Sequence, residues 1–208
     1  ASEIADWNIV EPKEAILLEK EKRLPEVVYQ LQKYSERRLA QLMQELHQIR
    51  SIIDTEPFVL VVGTDVEHYQ AGTIDRYNSS LALGAEGEVR GRYDKMHLVM
   101  FGEYIPFGEM IPALYDWTPL TGGLTPGKHP SIYEVAGRRF APNICYETVL
   151  PHVIRRQLLE LESQQQSPDV LLSQTNDGWF WGSSALDMHL ICGVFRAVEF
   201  RTPLLIAA

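Results

Sequence analysis

The chain has 208 residues, enough for one domain with a substantial core, and its 45% hydrophobic and 23% charged residues are those of an ordinary globular protein. A formal net charge of −9 excludes the concentrated basic surface that a phosphate backbone needs, so no nucleic-acid partner is expected. Two cysteines, Cys145 and Cys192, are too few for a disulfide framework or a metal cage, and no run is long and apolar enough to span a bilayer.

Residues 1–23 are irregular and charged, and Ala1 to Glu11 lack the basic and apolar regions of a signal peptide. From Leu24 to Ile53, the residues Val27, Val28, Leu31, Leu39, Leu42, Leu46, Ile49 and Ile53 recur at helical spacing, which predicts one long amphipathic helix with a core-facing stripe. Pro57–Gly63 then reads as a buried strand ending at a glycine. Tyr77–Leu83 and Glu88–Tyr93 alternate around Gly84-Ala85-Glu86-Gly87 and predict a hairpin. Asp94–Pro130 is long, aromatic and rich in Gly and Pro, without a regular period, as functional loops often are.

A second hairpin is expected from Ser131–Val135 to Arg138–Asn143, turning at Ala136-Gly137. It is followed by a helix over about Leu150–Ser163, a strand over Asp169–Gln174 and a loop over Thr175–Ser183. A helix from about Ala185 to Arg201 and a strand over Pro203–Ala208 complete the series. Strands alternating with helices and hairpins predict an α/β fold, a sheet covered by helices, in one domain over residues 1–208. The chain has no initiator Met and stops in an apolar run, so a catalytic domain truncated at both ends is expected.

Three segments carry candidate chemistry. Cys145 lies in Asn143-Ile144-Cys145-Tyr146-Glu147, between a strand and a helix. Such a turn lifts a thiol out of the sheet and aims backbone N–H groups at it, which lowers its pKa and can hold an oxyanion. A buried structural thiol fits the same local context, and the segment alone does not decide. Cys192, among Ile191, Val194 and Phe195 in a helix, fits the structural role better.

Lys95, at a strand end, can place an ammonium beside a reacting centre, although a loop lysine is more often only solvated. His97, beside Leu98, reads as a structural residue rather than a base. Thr175-Asn176-Asp177-Gly178-Trp179-Phe180-Trp181-Gly182 is either an apolar wall for an acyl group or a packed Trp cluster.

In their order along the chain these segments are specific. Tyr93-Asp94-Lys95-Met96-His97-Leu98, with Phe101-Gly102-Glu103-Tyr104-Ile105-Pro106, resembles the lysine segment of the nitrilase (carbon–nitrogen hydrolase) superfamily. Its extension through Gly102-Glu103 resembles the apolipoprotein N-acyltransferase branch. Ile144-Cys145-Tyr146-Glu147 is similar to the nucleophile segment of that branch. Tyr77-Asn78-Ser79-Ser80, Asn176-Asp177-Gly178-Trp179-Phe180, His189, Arg196-Ala197-Val198-Glu199 and Arg201-Thr202-Pro203-Leu204 also match, so the resemblance covers about residues 58–208.

The resemblance implies a four-layer α-β-β-α sandwich and a Glu–Lys–Cys triad, in which Cys145 is the nucleophile and Lys95 the lysine. It implies that Glu103 supports Lys95 and the intermediate, that Tyr146 and Glu147 flank the nucleophile, and that Trp179 lies near the acyl site. The triad's first glutamate has no counterpart here. Trp7 is followed by Asn8 where the family has Pro, and neither Glu11 nor Glu14 takes over the role. Met100 also departs from a family Pro, in a loop.

No metal and no cofactor is expected. The implied activity is acyl transfer through a cysteine thioester, from a phospholipid donor to the N-terminal amine of a diacylglyceryl lipoprotein. The implied setting is a bacterial inner membrane protein whose catalytic domain faces the periplasm, anchored by segments absent from this chain. A soluble nitrilase-type amidase and a degenerate non-catalytic scaffold remain as alternatives.

Overall fold

The computed structural model describes residues 58–70, 73–85, 87–108, 110–118, 120, 123–180 and 182–208, together with Gln44 and Gln48. Those two glutamines, four residues apart, are helical and exposed, as expected for the polar face of the helix over Leu24–Ile53. The rest of that helix, residues 1–23 and the first residue of the strand expected over Pro57–Gly63 lie outside the described residues.

Strands β1 (Val59–Gln70), β2 (Thr73–Gly84) and β3 (Val89–Asp94) form an antiparallel sheet in the order β1-β2-β3. The β2–β3 hairpin is the expected one. β1, however, runs past Gly63 to Gln70 and pairs with β2 throughout, from Val59 opposite Gly84 to Gln70 opposite Thr73. Asp65, Glu67 and His68 lie on this ribbon, opposite Asn78, Arg76 and Asp75. Glu67 lies opposite Arg76, whose Nε donates to its carboxylate at 3.1 Å. Cross-strand ion pairs of this kind contribute to ribbon stability.

The second sheet contains β4 (Tyr133–Val135), β5 (Arg138–Ile144), β6 (Val170–Gln174) and β7 (Leu204–Ala207), in that order. The β4–β5 pair is antiparallel and closes at Ala136 and Gly137, with φ of 53° and 71°. Two successive positive φ values are the signature of the two-residue turn that matches strand twist. β5, β6 and β7 are parallel, so each connection needs a crossover helix, α1 (Pro151–Ser163) and then α2 (Ala185–Phe200). Pro151 in the first turn of α1 is tolerated because its missing N–H has no partner in the helix anyway.

The sheets pack face to face. Ala82, Tyr93 and Met96 meet Tyr133 and Ile144, with Val59, Val61, Phe140, Cys145 and Leu172 around them. The site of Gly91 is set by this contact, because a Cβ there would lie 2.6 Å from the Tyr133 ring. Polar groups cross the same seam. The Tyr133 hydroxyl donates to the Ser80 carbonyl at 2.7 Å, Ser80 Oγ bonds Gln174, and Gln174 Nε2 donates to the Val61 carbonyl at 3.3 Å.

On the far side of the second sheet, Ile154 and Leu161 of α1 pack on Ala141 and Leu171, with Phe200 and Leu204 completing the cluster. On the far side of the first, Phe58, Leu81 and Leu83 are buried. The fold is α/β, and the described residues supply a β-β-α stack. The fourth layer of the expected sandwich lies outside them.

Candidate active site

The site forms where β3 and β5 end against each other. β5 finishes at Ile144, and Cys145 follows with φ 52°, a left-handed conformation rare for a residue with a side chain. The chain then enters a short 3-10 turn over Cys145–Val149 before α1, instead of passing directly into an α-helix. This sharp reversal leaves Cys145 only partly buried while both of its strand-side neighbours, Asn143 and Ile144, are sealed. The thiol is free, as is that of Cys192, which sits partly buried within the regular helix α2.

Lys95 follows β3 immediately and is 2% exposed. An ammonium withdrawn that far from water needs a counter-charge. Glu103 provides it, accepting from Lys95 Nζ at 2.8 Å on each carboxylate oxygen. The Val99 N–H at 2.8 Å and Asn78 Nδ2 at 3.1 Å also donate to Glu103, so each of its oxygens accepts two hydrogen bonds. Asn78 acts on both partners, since its carbonyl accepts from the Lys95 N–H at 2.9 Å. The eight-residue spacing from Lys95 to Glu103 is closed by a tight turn in which the Gly102 and Glu103 N–H groups both donate to the Val99 carbonyl.

Glu147 is fully buried. One oxygen accepts from the Met96 N–H at 2.8 Å and the His97 N–H at 2.9 Å, and the other from the Ile144 N–H at 2.7 Å. The Tyr93 hydroxyl donates at 2.9 Å to both oxygens. Burial pushes this carboxyl up, and the bonds from Ile144, His97, Tyr93 and Met96 pull it back. With only donors around both oxygens, the arrangement fits the carboxylate form. The residues next to Lys95 and next to Cys145 therefore share one anion.

Two further ties hold the walls. Asp177 accepts from Thr175 Oγ1 at 2.7 Å and pairs with His189 Nδ1 of α2 at 2.9 Å, which fixes the loop carrying Asn176-Asp177-Gly178. Arg196 of α2, 6% exposed, reaches the Val149 carbonyl at 3.4 Å and the Glu199 carboxylate at 2.9 Å, bracing the end of the Cys145–Val149 turn.

The expected residues thus divide. Cys145, Lys95, Glu103 and Glu147 are joined in one neighbourhood. Tyr146 flanks Cys145 but is 43% exposed. Trp179 lies in the 3-10 turn Asp177–Phe180, and its side chain is outside the described residues, as is Trp181. His97 is positioned by its backbone. Its ring meets His152 edge-on at 6.1 Å, and burial, then His152, Lys95 and Arg156, lower its pKa. Met100 is exposed, so the departure from Pro costs no packing. The roles of Tyr93 and Asn78 as partners of the two carboxylates were not read from the sequence. The one available signal was their presence in the matching segments Tyr93–Leu98 and Tyr77–Ser80.

Around this centre the loop after Lys95 carries exposed apolar side chains: Phe101, Phe107, Met110, Ile111 and Trp117. Among the described residues no helix is long and apolar enough to cross a membrane.

Comparison with known proteins identifies the family. Residues 23–208 match the carbon–nitrogen hydrolase family. The chain is 33% identical over 172 residues to an apolipoprotein N-acyltransferase of Rhodopirellula baltica, covering 81% of this chain and 30% of the relative. It is 34% identical over 148 residues to one of Geobacter metallireducens, covering 71% and 27%. This chain spans about a third or less of the length of these relatives. A crystal structure of a carbon–nitrogen hydrolase from Helicobacter pylori superposes with a TM-score of 0.51 at 17% identity, over 84% of this chain and 51% of that one, a likeness of fold alone.

Proposed function

The chain belongs to the carbon–nitrogen hydrolase family, and from that premise we propose that it is the catalytic domain of an acyltransferase working through a thioester on Cys145. The observation that carries the reading is the elbow itself. Cys145 stands at φ 52° beyond β5, and its neighbour Ile144 shares the Glu147 carboxylate with Met96 and His97, the two residues after Lys95.

In this reading a base takes the thiol proton, and the thiolate attacks the ester carbonyl of a phospholipid. Of the three N–H donors on the Lys95 ammonium, two go to Glu103 among the described residues, and the third donates to the developing oxyanion. Collapse expels the lysophospholipid alkoxide, which takes the proton back from the base, and leaves the acyl group on sulfur. The neutral amine of a diacylglyceryl lipoprotein then attacks the thioester, gives one proton to the base as the intermediate collapses, forms the amide and releases the thiolate, which the base reprotonates. Glu103 and Glu147 are both saturated with donors, so the base is a third group.

The lipid substrates are favoured over a small amide by two things. One is the exposed apolar fringe of Phe101, Phe107, Met110, Ile111 and Trp117. The other is the name borne by relatives at 33% and 34% identity. The corresponding setting is a bacterial inner membrane with the catalytic domain on the periplasmic side.

The test uses the full-length protein in detergent with a phospholipid labelled in its acyl chain. Wild type should accumulate an acyl-enzyme that hydroxylamine cleaves and pass its label to a lipopeptide amine. Cys145→Ala should form none. Acyl-enzyme on the alanine variant would refute the nucleophile, release of label to water alone would show a hydrolase rather than an acyltransferase, and turnover of a small amide with no acyl-enzyme from phospholipid would point to an amidase.

A further inference from the structure

We infer that Tyr93 is a positioning residue: with Glu147 it forms a buried clamp that sets where the Lys95 ammonium stands relative to the Cys145 thiol. The inference rests on Cys145 and Lys95 being the reacting pair, and it assigns what holds them in register.

Three observations carry it. Among the described residues Glu147 has no cation among its donors, which are three main-chain N–H groups and one phenol. A buried anion is normally paired with a cation, and here main-chain amides do that work. Those amides are not arbitrary. Two belong to the residues directly after Lys95, and one to the residue directly before Cys145. The carboxylate therefore joins segments about 50 residues apart in sequence at their reactive ends.

Tyr93 fixes the carboxylate in turn. It is 1% exposed, two residues before Lys95 on β3, and its hydroxyl lies 2.9 Å from both Glu147 oxygens. A donor placed equally between the two oxygens resists rotation of the carboxyl group. Such rotation would trade the bonds to Met96 and His97 against the bond to Ile144. The ring is held by the inter-sheet cluster with Ala82, Met96, Tyr133 and Ile144, so the hydroxyl cannot follow a rotating partner. Protonation of the phenol is secure, because burial raises its pKa well above the usual value and Glu147 adds to this.

The experiment measures the rate of Cys145 alkylation by iodoacetamide against pH in full-length protein. It is paired with kcat and KM for acyl transfer and carried out in a background where Cys192 is Ser. In Tyr93→Phe the clamp loses its phenol while the aromatic packing remains. The expected result is an alkylation midpoint moved to higher pH, as the ammonium drifts from the thiol. With it, kcat should fall by about tenfold, the factor for one hydrogen bond to a charged group, while KM stays unchanged.

Glu147→Asp, one methylene shorter, should shift the same midpoint further, because it cannot reach both sides. A folded Tyr93→Phe protein with the wild-type pH profile would overturn the clamp, whatever Glu147→Asp does. Failure of the underlying reading looks different. In that case Cys145→Ala would still form acyl-enzyme from the labelled phospholipid.

Discussion

Glu103 and Glu147 are two carboxylates of one site, each held by several donors, and they differ in what the donors are. Glu103 faces an ammonium, Lys95, keeps 16% of its side chain exposed, and draws that partner from eight residues away. Glu147 is sealed, faces main chain and a phenol, and draws its partners from about 50 residues away. The first arrangement neutralises a buried charge, the one that the proposed acyl transfer would use. The second uses a charge to hold chain segments together. One residue type therefore pairs with a cation in one place and ties chain segments in the other, and the two should fail differently when cut.

The largest effect is expected from Glu147→Ala. Truncation leaves the N–H groups of Met96, His97 and Ile144 and the Tyr93 hydroxyl facing a closed space, and each unsatisfied buried donor costs about 1–3 kcal/mol. With partial relaxation, a loss of about 3–5 kcal/mol in denaturant unfolding is expected, in line with broken buried polar networks. A variant within about 1 kcal/mol of wild type would erase the difference between the two carboxylates, since ordinary surface substitutions lie in that range.

Lys95→Met comes next. It strands the Glu103 charge, but Asn78, Val99 and residual water still solvate that group, so about 2–3 kcal/mol is expected. Adding Glu103→Gln should recover part of the loss, because the double variant has no uncompensated charge. A double-mutant cycle by urea unfolding reads this coupling. Strict additivity of the two single losses would show that Lys95 and Glu103 are not an energetic pair. Acyl transfer should be abolished in all of these Lys95 variants.

The same contrast decides what could be read from the chain. Lys95 and Glu103 are close in sequence, and the turn that joins them lies within one recognisable segment. The hairpin at Ala136 and Gly137 was legible for the same reason, as were α1, α2 and the strands that flank them. Glu147 was legible only as a residue beside a nucleophile. Its partners are backbone amides, which carry no residue-type signature, and they arrive from a different sheet. The extension of β1 to Gln70 was not read, because the strand was ended at Gly63 and the pairing of Glu67 with Arg76 arises only across the ribbon. The 3-10 turn at Cys145 was hidden because a positive φ on a cysteine has no compositional signal. Contacts set by local spacing are visible in a sequence, and contacts set by sheet packing are not.

The smallest expected effect comes from the second place where the Lys95 segment is held, the ring of His97 against His152 at the start of α1. Burial lowers the pKa of His97 first, and the positive charges of His152, Lys95 and Arg156 lower it further, against a small opposing pull from Glu103. Above the ordinary histidine value of about 6.5 the group is neutral in both folded and unfolded chains. As pH falls through that value the unfolded chain takes a proton that the folded protein still refuses, so stability declines until the folded-state pKa is passed.

His97→Asn removes this term. Its stability should therefore fall less steeply than that of wild type from about pH 6.5 downward, where the two would otherwise run parallel. Thermal unfolding of both proteins in a buffer series from about pH 5 to 8 measures the difference, centred on the ordinary histidine range. Identical slopes would mean that the imidazole is not strained by its neighbours. The clamp on Glu147 would then carry the Lys95 segment without help from α1.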